Sequence, residues 1–160
     1  MKSDHLNETA GPWLHLVVQT PSQAYDGAQA LGHQRHGRAA SRVLRGTKMR
    51  TWATLYDEIG AALQFPPYFG ENGDALDECL NDLEWLGADA YVLTILDAAC
   101  VLDREGGEAR RGFWEQLQDT AKEWGQRGKP FRVVVQCTAE EEAGLRARLV
   151  AVSANASGDA

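Results

Sequence analysis

Between Arg50 and Arg104 the chain has no lysine or arginine, although eleven aspartates and glutamates fall in that stretch, from Asp57 to Asp103. Other things are missing as well. No apolar run approaches the ~20 residues that a membrane helix needs. The opening residues, MKSDHLNETAGP, hold no apolar core for a secretory signal, so none is expected. Cysteine is scarce: Cys79, Cys100 and Cys137 are widely spaced, with no CxxC. A disulfide framework or zinc knuckle is not expected, and a reducing cytoplasm fits. Also absent are GxGxxG, GxxxxGK[ST], GxSxG and HExxH, the short motifs of dinucleotide, nucleoside triphosphate, serine-hydrolase and zinc-protease chemistry. A net charge of −7 argues against nucleic acid, whose phosphates call for a basic face.

What is present is an ordinary globular composition, 44% apolar and 24% charged, over 160 residues. That length suits one domain with a core of its own. The charge is unevenly spread. Residues 1–50 carry seven bases against three acids, and residues 51–160 nine bases against twenty acids.

Residues 1–11 and 153–160 are polar and read as disordered tails, which leaves a domain over 12–152. Trp13–Gln19 (WLHLVVQ) reads as a buried strand stopped by Pro21. A modest helix is expected over 22–36, with Ser22 as N-cap. Ser41–Arg45 is a second strand, ended by Gly46. Thr51 caps a helix over Trp52–Gln64, whose Trp52, Leu55, Ile59, Ala62 and Leu63 recur at helical spacing. Phe65-Pro66-Pro67-Tyr68-Phe69-Gly70 cannot be helical, because each proline bars the residue before it from the α region. Asn72 then caps a helix over about 73–85. Tyr91–Leu96 is a third strand, continuously apolar as when both faces are covered. A long helix over 108–127, a strand over Phe131–Gln136 and a helix over Ala139–Val150 complete the chain. Strands alternating with helices predict an α/β domain with a small, mainly parallel sheet of three to four strands flanked by helices.

Most residues with chemical potential have a simpler use. His33 and His36 are three apart but lack further ligands, so no metal or other cofactor is expected. His5 sits in the tail, and His15 lies in an apolar strand, where packing is the usual role. The cysteines read as packing residues.

The helix after Asn72 is different. Leu76, Cys79, Leu80 and Leu83 form one stripe, and Asp74, Asp77, Glu78, Asn81 and Asp82 occupy the other side. Asp74, Glu78 and Asp82 are spaced four apart, an arrangement that costs a few tenths of a kcal/mol per like-charged pair. The dipole favours Asp74 alone. Three readings follow: a solvated acidic face, paired carboxylates for acid–base chemistry, or a docking surface for a basic partner. Acid–base work needs a dry cleft, which an exposed helix does not supply. Tyr68 and Phe69 stand just before the helix, as aromatic anchors beside charge do at interfaces.

Phe65-Pro66-x-Tyr68-Phe69-Gly70-Glu71-Asn72-x-Asp74-Ala75-Leu76-x-x-Cys79-Leu80 closely resembles the barstar family of ribonuclease inhibitors. Val43-Leu44-Arg45-Gly46 and Met49-Arg50 look like that family's first strand and turn, and the later elements follow in its order over residues 41–137. Residues 12–40 look like an added strand and helix. The resemblance implies a small parallel sheet flanked by helices, no catalysis and no cofactor. It also implies a cytoplasmic protein of bacterial, immunity-like type, monomeric when free, that blocks a basic, secreted ribonuclease by placing acidic side chains where RNA phosphates bind. The matching contact residues are Tyr68, Asn72, Gly73, Asp74, Asp77, Glu78, Asn81 and Asp82. A further acidic contact from the long helix falls at Glu123 or Asp119. Departures are specific: Glu78 stands where the prototype has aspartate, Asp77 where it has tryptophan, and Gly73 where it has leucine. The alternative is an acidic interaction module on the same scaffold that binds another basic protein.

Overall fold

A computed structural model describes residues 12–33 and 38–155. Four strands form one sheet: β1 (Leu14–Val18), β2 (Ala39–Arg45), β3 (Ala90–Leu96) and β4 (Phe131–Cys137). Their spatial order is β1-β4-β3-β2, and every neighbouring pair is parallel. Five helices join them: α1 (Pro21–Gly32), α2 (Trp52–Ala62), α3 (Gly73–Asp82), α4 (Gly107–Gln126) and α5 (Glu142–Asn155). The expected α/β architecture is present, with the fourth strand included.

Both faces of the sheet are covered, which explains the unbroken apolar strands. Tyr91, Leu93 and Ile95 of β3 and Phe131, Val133 and Val135 of β4 point to one face. There they meet Leu55 and Ile59 of α2, Leu76 and Leu80 of α3, Phe113 and Leu117 of α4, and Leu145 of α5. The alternate residues Val92 and Val134 point to the other face, where Leu31 of α1 meets them. Residues 12–40 thus supply an edge strand beside β4 and a cover for the second face. Helix α1 carries the chain from one sheet edge to the other, packing on β2, β3 and β4. Ser41 Oγ donates to Ala28 O at 2.7 Å and fixes this helix on the sheet.

Several boundaries differ from the sequence reading, each for a local reason. The first helix begins at Pro21, and its cap is Thr20 instead of Ser22: Thr20 and Gln23 satisfy each other's backbone N–H groups. Pro21 therefore starts the helix, where a missing N–H costs nothing. The same helix ends at Gly32, short of the expected 36; residues 34–36, and with them His36, lie outside the described residues, as does His5. Helix α3 stops at Asp82 because Leu83 takes a left-handed conformation (φ 50°), and a single 3-10 turn, Glu84–Leu86, follows. The last helix starts at Glu142, not 139, since Glu141 turns its carboxylate back onto the Thr138 N–H at 3.0 Å. It reaches Asn155, so 153–155 are helical and not tail. The tails 1–11 and 156–160 lie outside the described residues. Among the described residues no helix is long and apolar enough to cross a membrane.

Candidate functional site

The segment from Leu63 to Trp85 is a loop and a helix clamped at both ends. Phe65 N donates to Gly60 O at 2.9 Å, and Phe69 N to Pro66 O at 3.0 Å, closing a turn across the two prolines. Beneath that turn runs a row of rings. Trp52 stacks on Tyr56 (5.7 Å), Tyr56 meets the edge of Phe69 (5.9 Å), Phe69 meets Phe65 (4.9 Å), and Phe65 meets Trp85 (6.1 Å). The Trp85 indole N–H donates to Leu63 O at 2.8 Å, joining the end of α2 to the residues after α3. Burial in this row pushes the Tyr56 phenol above its ordinary pKa. The row leaves Tyr68 outside: 82% of its surface is exposed.

Helix α3 starts where the sequence places it. Asn72 Oδ1 accepts from Ala75 N at 2.9 Å, and Asn72 Nδ2 donates to Gly70 O at 3.1 Å. Leu76, Cys79, Leu80 and Leu83 are buried, as expected from their spacing. Burial raises the Cys79 thiol pKa, and the charges of Asp82 and Glu78 push it the same way, so this cysteine stays a protonated packing residue. Asp74, Asp77, Glu78 and Asp82 are exposed. At about 100° per residue, the span from Asp77 to Asp82 covers roughly 140° of the helix surface, opposite the buried stripe.

The expected contact residues divide into two kinds. Tyr68, Asp74, Glu78 and Asp82 project into solvent, and among the described residues none of these three carboxylates forms an ion pair. Asn72, Gly73, Asp77 and Asn81 hold the scaffold instead. The Asn72 side chain is spent on the cap. Gly73 O accepts from Gln116 Nε2 at 3.0 Å. Asn81 Nδ2 donates to Asp77 O at 3.0 Å and to Asp77 Oδ1 at 3.2 Å.

Sequence reasoning missed the side of α4 that holds α3 in place. Gln116 grips the start of α3, and Trp124 Nε1 donates to Leu80 O at 2.8 Å near its end. Arg127 Nη1 donates to Asn81 O at 2.8 Å, with its guanidinium 3.7 Å from the centre of the Trp124 ring. A free helix end leaves carbonyls without partners; here one is met by Trp124 of α4 and the next by Arg127, just past its end. Only the final turn of the long helix hinted at this, as an arginine after a tryptophan. Glu123 and Asp119 are both exposed on α4. By helix geometry Glu123 lies about 20° round from Gln116, beside α3, and Asp119 about 60° round, farther from it. Glu78, Asp82, Tyr91, Trp124 and Arg127 line a cavity of about 500 Å³ between the ends of α3 and α4.

This arrangement presents charge and an aromatic ring on a rigid support. It does not build a dry cleft around paired carboxylates, which general acid–base chemistry needs. Among the described residues no cluster of His, Cys, Asp and Glu could hold a metal ion. The family model described as Barstar (barnase inhibitor) matches residues 39–136. No match is found among curated proteins.

Proposed function

The chain belongs to the barstar family of barnase inhibitors, and from that premise we propose that it inhibits a basic ribonuclease by laying Tyr68 and the carboxylate edge of α3 into the enzyme's active site. The family's members are inhibitors and not enzymes, and their partners are ribonucleases. The finer reading concerns which side chains act. One observation carries it: Asp74, Glu78 and Asp82 stand on a single exposed edge with no ion-pair partner among the described residues, next to an 82%-exposed tyrosine. Like charges stacked along a helix are a cost to the free protein. An active site built to hold RNA phosphates supplies the cations that remove it. Complementary charge also steers association. Glu123 adds a carboxylate from the neighbouring helix.

Support comes from how little the surface has to reorganise. The ring row fixes the loop below Tyr68, Asn72 fixes the start of α3, and Gln116, Trp124 and Arg127 fix its length against α4. Binding then costs little ordering. Glu78, one methylene longer than aspartate, and Asp77 in place of an apolar ring fit an enzyme whose basic groups sit deeper and whose rim is more polar than the prototype's. The partner is a secreted ribonuclease of the same cell, met by the inhibitor in the cytoplasm. An RNA-cleavage assay tests this, using barnase and the basic ribonucleases of the source cell. Stoichiometric loss of cleavage by one of them is expected. Untouched cleavage at micromolar inhibitor with all of them would reject it.

A further inference from the structure

A second cavity lies away from α3, between the start of α4 and the side of α5. Its volume is about 200 Å³, and Gly107, Arg110, Arg111, Trp114 and Arg148 line it. Relative to Gln116, which reaches α3, these α4 residues sit about 120° to 220° round the helix. The acidic edge and this cavity therefore occupy different sides of α4.

Three arginines converge here in a chain of net charge −7. Glu115 neutralises one of them, since Arg111 Nε lies 3.0 Å from Glu115 Oε1. Arg110 and Arg148 form no ion pair among the described residues. The Nε atom of Arg110 is sealed from solvent and has no hydrogen-bond partner there. A buried donor left unmet is costly. The helix start adds to this: Gly106, at the N-cap, offers no side chain to the first N–H groups, and Gly107 lines the cavity. Below them Trp114, 2% exposed, forms an apolar wall.

Guanidinium groups with no ion pair among the described residues, and helix-start amides with no side-chain cap, face one cavity and call for one thing, an oxyanion. Its size is bounded, because ligand pockets for whole cofactors run to ~300–1,000 Å³ and this one is smaller. Its charge is bounded as well. Two unpaired arginines balance a dianion, and a phosphate group carries about −1.5 to −2 at pH 7. Arginine forks and helix N-termini both suit phosphate oxygens. We propose that this cavity binds a phosphate dianion, either inorganic phosphate or the terminal phosphate of a nucleotide. The site does not depend on the ribonuclease reading and uses none of its residues.

The full chain, labelled with ¹⁵N in a low-salt buffer free of phosphate, is titrated with inorganic phosphate, a nucleoside monophosphate, the parent nucleoside, and acetate at matched ionic strength. Saturable shifts are expected at the Gly107 and Glu108 amides with phosphate or the nucleotide, and not with the nucleoside or acetate. A nucleotide that binds more tightly than inorganic phosphate identifies the source as the nucleotide, and the reverse identifies free phosphate. Arg148→Gln, at an exposed position, should melt like wild type and bind roughly tenfold more weakly, the loss of one charge-assisted contact. Arg110→Lys, which keeps the charge and loses the fork, should also weaken binding. Shifts that do not saturate, an equal response to acetate, or wild-type binding by Arg148→Gln would overturn the proposal.

Discussion

The indole N–H of Trp124 donates to the backbone carbonyl of Leu80 across 2.8 Å, with both groups buried. One residue of α4 thus meets a carbonyl in the last turn of α3 that the helix itself cannot satisfy. The same ring carries the Arg127 guanidinium that meets the next carbonyl, at Asn81. The position of the acidic edge is set through this contact. Trp124→Phe keeps an aromatic ring and removes the donor. A loss of about 1–3 kcal/mol in denaturant unfolding is expected, the cost of a buried carbonyl left unmet. Inhibition should weaken with it, because the acidic edge loses its fixed position.

A second prediction concerns Glu58. Its carboxylate takes Arg45 Nε at 2.7 Å, Arg45 Nη2 at 2.8 Å and the Arg45 N–H at 3.0 Å, in a position only 9% exposed. The bonds from the Arg45 side chain hold the Glu58 carboxyl below its ordinary pKa, against the opposing effect of burial. A carboxyl lowered in the folded state stabilises the fold above its unfolded value, ~4.3 for glutamate. That contribution is lost as pH falls through the folded value. Glu58→Gln should melt about 3–5 °C lower at pH 7, the shift from a loss on the order of 1 kcal/mol in a domain of this size. The gap from wild type should narrow as pH drops below ~4.3. A gap that stays constant from pH 7 to pH 3 would show that shape matters there and charge does not.

The parts of the fold carried by periodicity were legible in the sequence. The buried stripe Leu76, Cys79, Leu80 and Leu83 follows from spacing alone, and so do the Asn72 and Thr51 caps. The unbroken apolar run Tyr91–Leu96 told of a sheet covered on both faces, but not of what covers the second one. That is α1, whose Ala24, Ala28 and Leu31 are small or sparse and give a weak signal. Turn chemistry was harder to read. Pro21 looked like a strand stop and is a helix start, and Leu83 takes a positive φ that no leucine advertises. The support behind the site was least legible. Trp85, Gln116, Trp124 and Arg127 act through contacts with residues 22 to 46 positions away in the chain, and no local pattern encodes a partner at that distance.

Tyr68 separates binding from stability. Its ring is 82% exposed and touches no ring of the row beneath it. Tyr68→Ala should leave unfolding within about 0.5 kcal/mol of wild type, as surface changes do. In the complex an aromatic anchor of this kind contributes at hot-spot level, so the inhibition constant should rise at least tenfold. Equal inhibition by the variant would remove Tyr68 from the contact surface.

The carboxylates should behave in the same way, with an added dependence on salt. Asp74, Glu78 and Asp82 stack four residues apart, so in the free protein Glu78→Gln should be neutral or stabilising by a few tenths of a kcal/mol. In the complex the sign reverses. In the proposed docking, Asp74→Ala and Glu78→Ala would each leave a desolvated cation of the enzyme unpaired, so each should weaken binding by at least ~2 kcal/mol. Glu140 is the control, since it is exposed on the turn before α5, and Glu140→Gln should bind like wild type. Glu141 cannot serve, because its carboxylate caps Thr138. Added salt screens charges beyond ~10 Å at 0.1 M, so the wild-type association rate should fall steeply from low salt to 0.5 M. The dissociation rate, governed by contacts already dry, should change little. Stopped-flow mixing with the ribonuclease measures both. Association indifferent to salt, together with full binding by Asp74→Ala and Glu78→Ala, would move the contact surface off α3.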